Sequence, residues 1–160
     1  METQSQCTVA DAEAIVKKYA DMVYKLAFSQ VHNKNDADDI FQEVFLRYFK
    51  NPQKFESEEH QKAWLIRVTI NCSKKHWSSA WNRKTTALNE SFTFSMPEEN
   101  ILADALRKLS PKYRAVIHLF YYEGYAVEQI SHILKVKQST VRTQLTRARA
   151  QIGKMLKGEF

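Results

Sequence analysis

Along most of this chain apolar residues recur at steps of three and four, the spacing of helices that bury one face and solvate the other. In residues 12–30 the series is Ile15, Tyr19, Met22, Val23, Leu26 and Ala27. The polar run from His32 to Asp36 interrupts it, and Asp36 is placed to cap a second helix over residues 37–50. Ile40, Phe41, Val44, Phe45, Tyr48 and Phe49 give that helix a wide apolar face, and Asp38, Asp39, Gln42 and Glu43 lie on its other side. Acids early in a helix are explained in part by the helix dipole, but Gln42 and Glu43 extend the polar patch a turn further. Asn51-Pro52 ends the helix, because the residue before a proline is pushed out of the helical region. Residues 52–60, PQKFESEEH, read as a loop anchored by Phe55.

A third helix is expected over residues 61–83. On a helical projection Leu65, Val68, Cys72 and Ala80 share one side, flanked by Ile66, Ile70 and Trp77, while Arg67, Asn71, Lys74, Ser78 and Trp81 form the opposite strip. Lys62 and Lys75 add positive charge, and the stretch has no acid. A cationic face bearing a tryptophan suits a partly single-stranded nucleic acid: Lys and Arg hold phosphates while a ring stacks on an unstacked base. The alternative is a solvated basic surface with Trp64, Trp77 and Trp81 all in the core.

From Lys84 the helical period disappears, and residues 85–100, rich in Ser, Thr and Asn, read as a flexible linker. The expected architecture is therefore all-α: a helical domain over residues 1–84, the linker, and a second helical domain over residues 101–160. In the second domain Ile101, Leu102, Ala105, Leu106 and Leu109 form one stripe. Ser110-Pro111 opens another helix, serine as N-cap and proline at the first helical position. Tyr113, Val116, Ile117, Phe120 and Tyr121 are its expected core residues, and Glu123-Gly124 closes it.

Residues 126–157 then form two short helices around a polar turn. In the first, Val127, Ile130, Ile133 and Leu134 face inward; in the second, Val141, Leu145, Ala148, Ile152 and Met155 do. Lys135 to Gln138 is the turn, and Gln138 or Ser139 opens the second helix. Ser139, Arg142, Thr143, Thr146, Arg147 and Ala150 are left pointing outward. This is the helix-turn-helix pattern of major-groove readers. The outward set suits DNA, with arginines for guanine edges or phosphates and threonines for backbone oxygens and thymine methyls.

Charge sharpens the contrast between the domains. The chain carries +6 overall, but residues 1–82 are neutral, residues 83–100 carry −1 and residues 101–160 carry +7. A basic C-terminal third points to a polyanion. No apolar run approaches the roughly 20 residues a membrane span needs, and the N-terminal METQSQCTVADAEA is unlike a signal peptide. Cys7 and Cys72 fit neither a disulfide framework nor a CxxC site, and Cys72 with His76 lacks the second ligand pair a metal needs. No glycine-rich phosphate loop, HExxH or nucleophile-base pairing suggests an enzyme. A cytoplasmic protein with no cofactor, no metal and no small-molecule substrate is expected.

Three segments together resemble a bacterial alternative sigma factor of the extracytoplasmic-function type, in its minimal two-domain form. DADDIFQEVFLRYFK (residues 36–50) is similar to that family's core-polymerase-binding helix, and AWLIRVTINCSKKHW (residues 63–77) to its minus-ten-reading and strand-opening helix. Residues 106–149 are similar to its minus-thirty-five-reading domain. The resemblance implies that Asp38, Asp39, Gln42 and Glu43 bind the clamp helices of the largest polymerase subunit, while the loop 52–60 helps hold a flipped-out base. It places Lys62, Arg67, Asn71, Lys74, Lys75, Ser78 and Trp81 toward the minus-ten strand. Lys137, Gln138, Ser139, Thr140, Arg142, Thr143, Thr146 and Arg147 would face the minus-thirty-five element. The linker would thread the polymerase channel, with Glu90, Glu98 and Glu99 mimicking nucleic acid. Strand opening of this kind is not enzymatic: binding offsets an unstacking cost of a few kcal/mol per base. Core RNA polymerase, promoter DNA and an anti-sigma factor are the implied partners. The family often has glycine where Lys135 and Ser139 stand, and no further domain is expected after Phe160. The competing function is a free-standing helix-turn-helix regulator, with the N-terminal helices serving dimerisation or effector binding.

Overall fold

The computed structural model describes residues 9–50, 55–84 and 97–158, and no strand occurs among them. Two compact units divide at Lys75/His76, inside the third helix. The helices are α1 (Val9–Val31), α2 (Lys34–Lys50), α3 (Glu58–Lys84), α4 (Pro97–Lys108), α5 (Pro111–Ile117), α6 (Val127–Leu134) and α7 (Gln138–Leu156). A π-helical segment, His118–Tyr122, continues α5.

In the first unit α1 and α2 form a hairpin. His32 adopts a left-handed conformation (φ 49°), and its N–H closes α1 onto the Phe28 carbonyl at 2.7 Å. The reversal brings Asn33, not Asp36, to the cap of α2: the Asn33 side-chain oxygen accepts from the Asp36 N–H at 3.1 Å. Asp36 is a turn inside the helix and only 3% exposed. An amide oxygen caps as well as a carboxylate does, so the early left-handed residue decides where the helix begins. Tyr19, Met22, Val23, Leu26 and Ala27 of α1 are buried, as are Ala37, Ile40, Val44 and Phe45 of α2.

α3 starts earlier than its apolar pattern suggests, because Ser57 caps it: the Ser57 hydroxyl accepts from the His60 N–H at 3.1 Å. Residues 58–60 therefore belong to the helix and not to the expected loop, of which residues 52–54 lie outside the described residues. The buried face is also rotated from the expected one. Leu65, Ile66, Ile70 and Cys72 are buried together with Thr69 and Ser73, while Val68 is only half-buried. Two hydroxyls fit the core because each donates back to its own helix, Thr69 to the Leu65 carbonyl and Ser73 to the Thr69 carbonyl, both at 2.7 Å. Around the three helices runs a polar tie: the Tyr19 hydroxyl donates to Gln61 Oε1 at 3.1 Å, and Gln61 Nε2 donates to the Tyr48 hydroxyl at 2.6 Å. Beside it Tyr48 stacks on Phe55 (6.0 Å) and meets Trp64 edge-on (5.9 Å). Phe55 is thus the anchor its position suggested, and Trp64 is half-buried among rings.

In the second unit α4 begins at Pro97, inside the stretch read as linker, since proline is favourable at the first position of a helix. Residues 85–96 lie outside the described residues. Leu109, Tyr113 and Ala148 form one core cluster, with Leu106, Ile117, Ile152 and Met155 packed partly buried against it. Ser110 and Pro111 do open α5, but the serine hydroxyl makes no cap hydrogen bond. The π segment overturns one core assignment. Its i→i+5 bonding, seen where the Glu123 N–H meets the His118 carbonyl at 3.0 Å, adds a residue to the turn and rotates the side chains after it. Leu119 becomes fully buried, and Tyr121, expected in the core, is 57% exposed. Gly124 ends the segment at φ +76°, where a side chain would be strained.

Candidate nucleic-acid interface

The helix-turn-helix is built by α6, a three-residue turn and α7. Ile130 and Ile133 of α6 pack in the core with Val141, Leu145 and Ala148 of α7. The Ala126 N–H is held by Gln129 Oε1 at 2.9 Å, which fixes the start of α6. Its end is fixed by Lys135, whose backbone is left-handed (φ 57°, ψ 44°). The Ser131 carbonyl accepts from the Lys135 N–H and from the Val136 N–H at 3.1 Å. A turn that glycine makes without strain is made here with lysine, at a conformational cost of about 1 kcal/mol.

α7 begins at Gln138, and its N-cap residue Lys137 offers no side-chain hydrogen bond to the first turn. The first N–H groups of α7 and the positive end of its dipole therefore face outward, where phosphate is favoured. Lys137, Gln138, Ser139, Arg142, Thr143, Thr146 and Arg147 are exposed, and Thr140 is half-buried. Arg142 is steadied by Gln138 one turn earlier, Nη2 to Oε1 at 3.2 Å. The Thr143 hydroxyl donates back to the Ser139 carbonyl at 2.9 Å, leaving its methyl outward. Among the described residues no basic side chain of α7 pairs with a carboxylate.

On α3 the basic residues are arranged differently. Asn71, Lys74 and Lys75 are exposed, Lys62 and Arg67 are half-buried, and the side chains of Ser78 and Trp81 lie outside the described residues. Lys75 reaches across to α2 and meets Glu43 Oε1 at 3.1 Å, and the same oxygen accepts from Arg47 at 2.7 Å. Partial burial pushes the Glu43 carboxyl up, but the hydrogen bonds from Lys75 and Arg47 outweigh it and hold it below the ordinary glutamate value. Behind this pair, burial pushes the Cys72 thiol up, aided by the Glu43 charge, which makes Cys72 an inert core residue. Of the other polar residues on α2, Asp39 and Gln42 are exposed and Asp38 is half-buried beside Tyr24.

The profile for Sigma-70 region 2 matches residues 15–83, and the profile for Sigma-70, region 4 matches residues 99–152. The ECF RNA polymerase sigma factor SigE of Mycolicibacterium smegmatis is 31% identical over 94% of this chain. The chain belongs to the extracytoplasmic-function sigma factors. It spans 63% of the length of SigE, and 87% of the length of SigW of Bacillus subtilis, which is 28% identical over 89% of this chain. Its fold is that of the sigma factor RpoE from Bartonella quintana, solved in complex with the anti-sigma factor NepR. The TM-score is 0.72 at 20% identity, covering 93% of this chain and 98% of that one.

The region-2 match holds the α2 acids and the α3 basic face, and the region-4 match ends at Ile152, so it takes in every outward residue of α7 named above. Sequence reading missed two features of this sigma factor. Arg149 lies 5.4 Å from the ring centres of both Phe120 and Tyr121 and hydrogen-bonds the Tyr121 hydroxyl. Helical period gave no sign of this, since the contact depends on the π segment turning Tyr121 outward. The second is the Glu43–Lys75 pair, whose partners stand on different helices.

Proposed function

We propose that this sigma factor binds core RNA polymerase, directs it to specific promoters and assists strand opening at the start of transcription. The carrying observation is the coexistence in one chain of two unlike surfaces. One is an acid-and-amide patch on α2 beside a basic α3; the other is a helix-turn-helix with no carboxylate on its exposed cations among the described residues. A regulator that only reads duplex DNA needs the second surface and not the first.

In this reading the N-terminal domain, residues 1–84, holds polymerase through Asp38, Asp39, Gln42 and Glu43. The same domain receives the minus-ten strand on Lys62, Arg67, Asn71, Lys74, Lys75, Ser78 and Trp81. Residues 85–100 connect it to the domain over residues 101–160. There Lys137, Gln138, Ser139, Thr140, Arg142, Thr143, Thr146 and Arg147 meet the minus-thirty-five element, with Arg142 placed for a base edge and the uncapped helix start for phosphate. The action is binding without catalysis, located in the cytoplasm where polymerase and promoter DNA meet; among the described residues no helix is long and apolar enough to cross a membrane. An anti-sigma protein is a further proposed partner, on the precedent of RpoE and NepR.

Co-purification with core polymerase followed by run-off transcription tests the reading. Promoter-specific transcripts that depend on the added chain are expected. Tight duplex binding without polymerase association would assign the chain to the free-standing regulators instead.

A further inference from the structure

The three helices of the first unit meet at one amide. Gln61, near the start of α3, accepts from the Tyr19 hydroxyl of α1 at 3.1 Å and donates to the Tyr48 hydroxyl of α2 at 2.6 Å. Its own N–H is bonded to the Ser57 carbonyl at 3.1 Å, which fixes Gln61 in the first turn of the helix. Burial in this unit does not depend on the amide: Leu26, Ile40, Leu65 and Ile66 are each no more than 1% exposed. What the amide reaches is the segment before α3. Tyr48 stacks on Phe55 with ring centres 6.0 Å apart and planes 10° from parallel, while Trp64 and His60 meet Phe55 edge-on at 5.9 and 5.4 Å. Within residues 55–60 Phe55 is half-buried and the rest are exposed. The place of this segment is therefore set by where the Phe55 ring sits.

We propose that Gln61 is a positioning residue for the segment 55–60, carrying the fixed place of Tyr19 through Tyr48 to the Phe55 ring. This rests on the function proposed above, with the loop 52–60 holding a flipped-out base of the minus-ten strand; Gln61 then sets the wall that the base meets. Tyr19 is 5% exposed, so its hydroxyl is anchored in the core. The planar amide of Gln61 uses one end for each tyrosine and holds Tyr48 at the hydroxyl as well as by its ring. Ring pairs are found with centroids over a range of about 4.5–7 Å, so stacking by itself leaves Phe55 room to slide. A hydrogen bond confines its partners to within about half an ångström. That is the tolerance, about 0.5 Å, within which a binding constellation must be held to discriminate.

The test uses holoenzyme reconstituted from core polymerase and the full chain. A fluorescent base analogue walked along the minus-ten strand locates the flipped-out position, and promoters carrying each base there in turn give the preference. Gln61→Leu is expected to lower the preference for the best base over the worst about 5-fold, the scale of one neutral hydrogen bond. Tyr48→Phe, which keeps the ring and loses the hydroxyl, is expected to lower it as much, and the two together no further. Gln61→Glu keeps the preference, because a carboxylate accepts from both hydroxyls. Preference at the other minus-ten positions and affinity for core polymerase stay at the wild-type level in all of them. No loss at the flipped-out position, or an equal loss at every minus-ten position, overturns the proposal and leaves the sigma reading intact. So does a Gln61→Glu variant as impaired as Gln61→Leu. A wild-type holoenzyme that flips out no minus-ten base overturns the proposal together with the strand-opening part of that reading.

Discussion

Lys75 of α3 is held by Glu43 of α2 at 3.1 Å, and that carboxylate is shared with Arg47; on α7 the exposed arginines have Gln138 and Tyr121 as their side-chain hydrogen-bond partners among the described residues. Both helices present cations to nucleic acid in the proposed function, yet one set is partly neutralised within the protein and the other is not. A cation already paired must exchange one anion for another when DNA arrives, so its net gain is small. An unpaired one gains the whole interaction and releases a counterion. In the proposed function the C-terminal unit therefore holds duplex DNA through its unpaired cations. In the same proposal the N-terminal unit, through the Glu43–Lys75 pair, couples its DNA face to the helix that carries the polymerase patch. The same contrast lies behind the charge balance, which is zero over residues 1–82 and +7 over residues 101–160.

The strongest way to break the comparison is to reverse charge on α2. Asp39→Arg with Glu43→Arg is expected to weaken binding to core polymerase by about 100-fold or more, as close like charges replace complementary ones. Binding of the C-terminal unit to duplex DNA is expected to stay as it was. Polymerase affinity measured by fluorescence anisotropy checks this, and an unchanged value removes α2 from the interface. Next in size is Arg142→Ala, expected to cost about 1–3 kcal/mol on the preferred upstream sequence and much less on unrelated DNA. Equal losses on both, in competition gel shifts, mean that Arg142 touches only phosphate.

Smaller effects sharpen the picture of the ion pair and the turn. Glu43→Gln is expected to lower stability by about 0.5 kcal/mol near neutral pH, the scale of a partly exposed pair. The Glu43 carboxyl is held below its ordinary value of 4.5 when folded. Its contribution is therefore present above that value and lost as pH falls through the lower folded one. Urea melts across pH should show wild type and variant converging in acid, and a constant gap sinks the pairing argument. Lys135→Gly is expected to stabilise the C-terminal unit by about 0.5 kcal/mol, because relief of the left-handed strain slightly exceeds the added entropy of the unfolded glycine. A lower melting temperature in that variant means the lysine side chain stabilises the turn in some other way.

Helix identity, the break near residue 33 and the helix-turn-helix were legible because they depend on local facts: a period of 3.6, Gly and Pro positions, and the small set of residues that cap helices. The residues of α7 that face outward were legible for the same reason, as its core stripe Val141, Leu145 and Ala148 left them no other side. The face of α3 was only partly legible. Thr69 and Ser73 look polar in sequence and are buried in fact, satisfied by carbonyls of their own helix. Tyr121 was lost from the core because the extra residue in the π-helical turn breaks the period on which the reading relied.

By itself, then, the sequence determined an all-α chain with a neutral first part, a basic last part and a helix-turn-helix pair, since periodicity, capping and net charge are properties of short stretches. Tertiary structure decided what depends on residues far apart. It joined Glu43 to Lys75, 32 residues away. It set Arg149 against Tyr121, 28 residues away, and brought Lys112 of α5 beside the start of α7. It also placed a lysine in the left-handed turn at residue 135. Packing of α6 on α7 demands that conformation whatever residue occupies it.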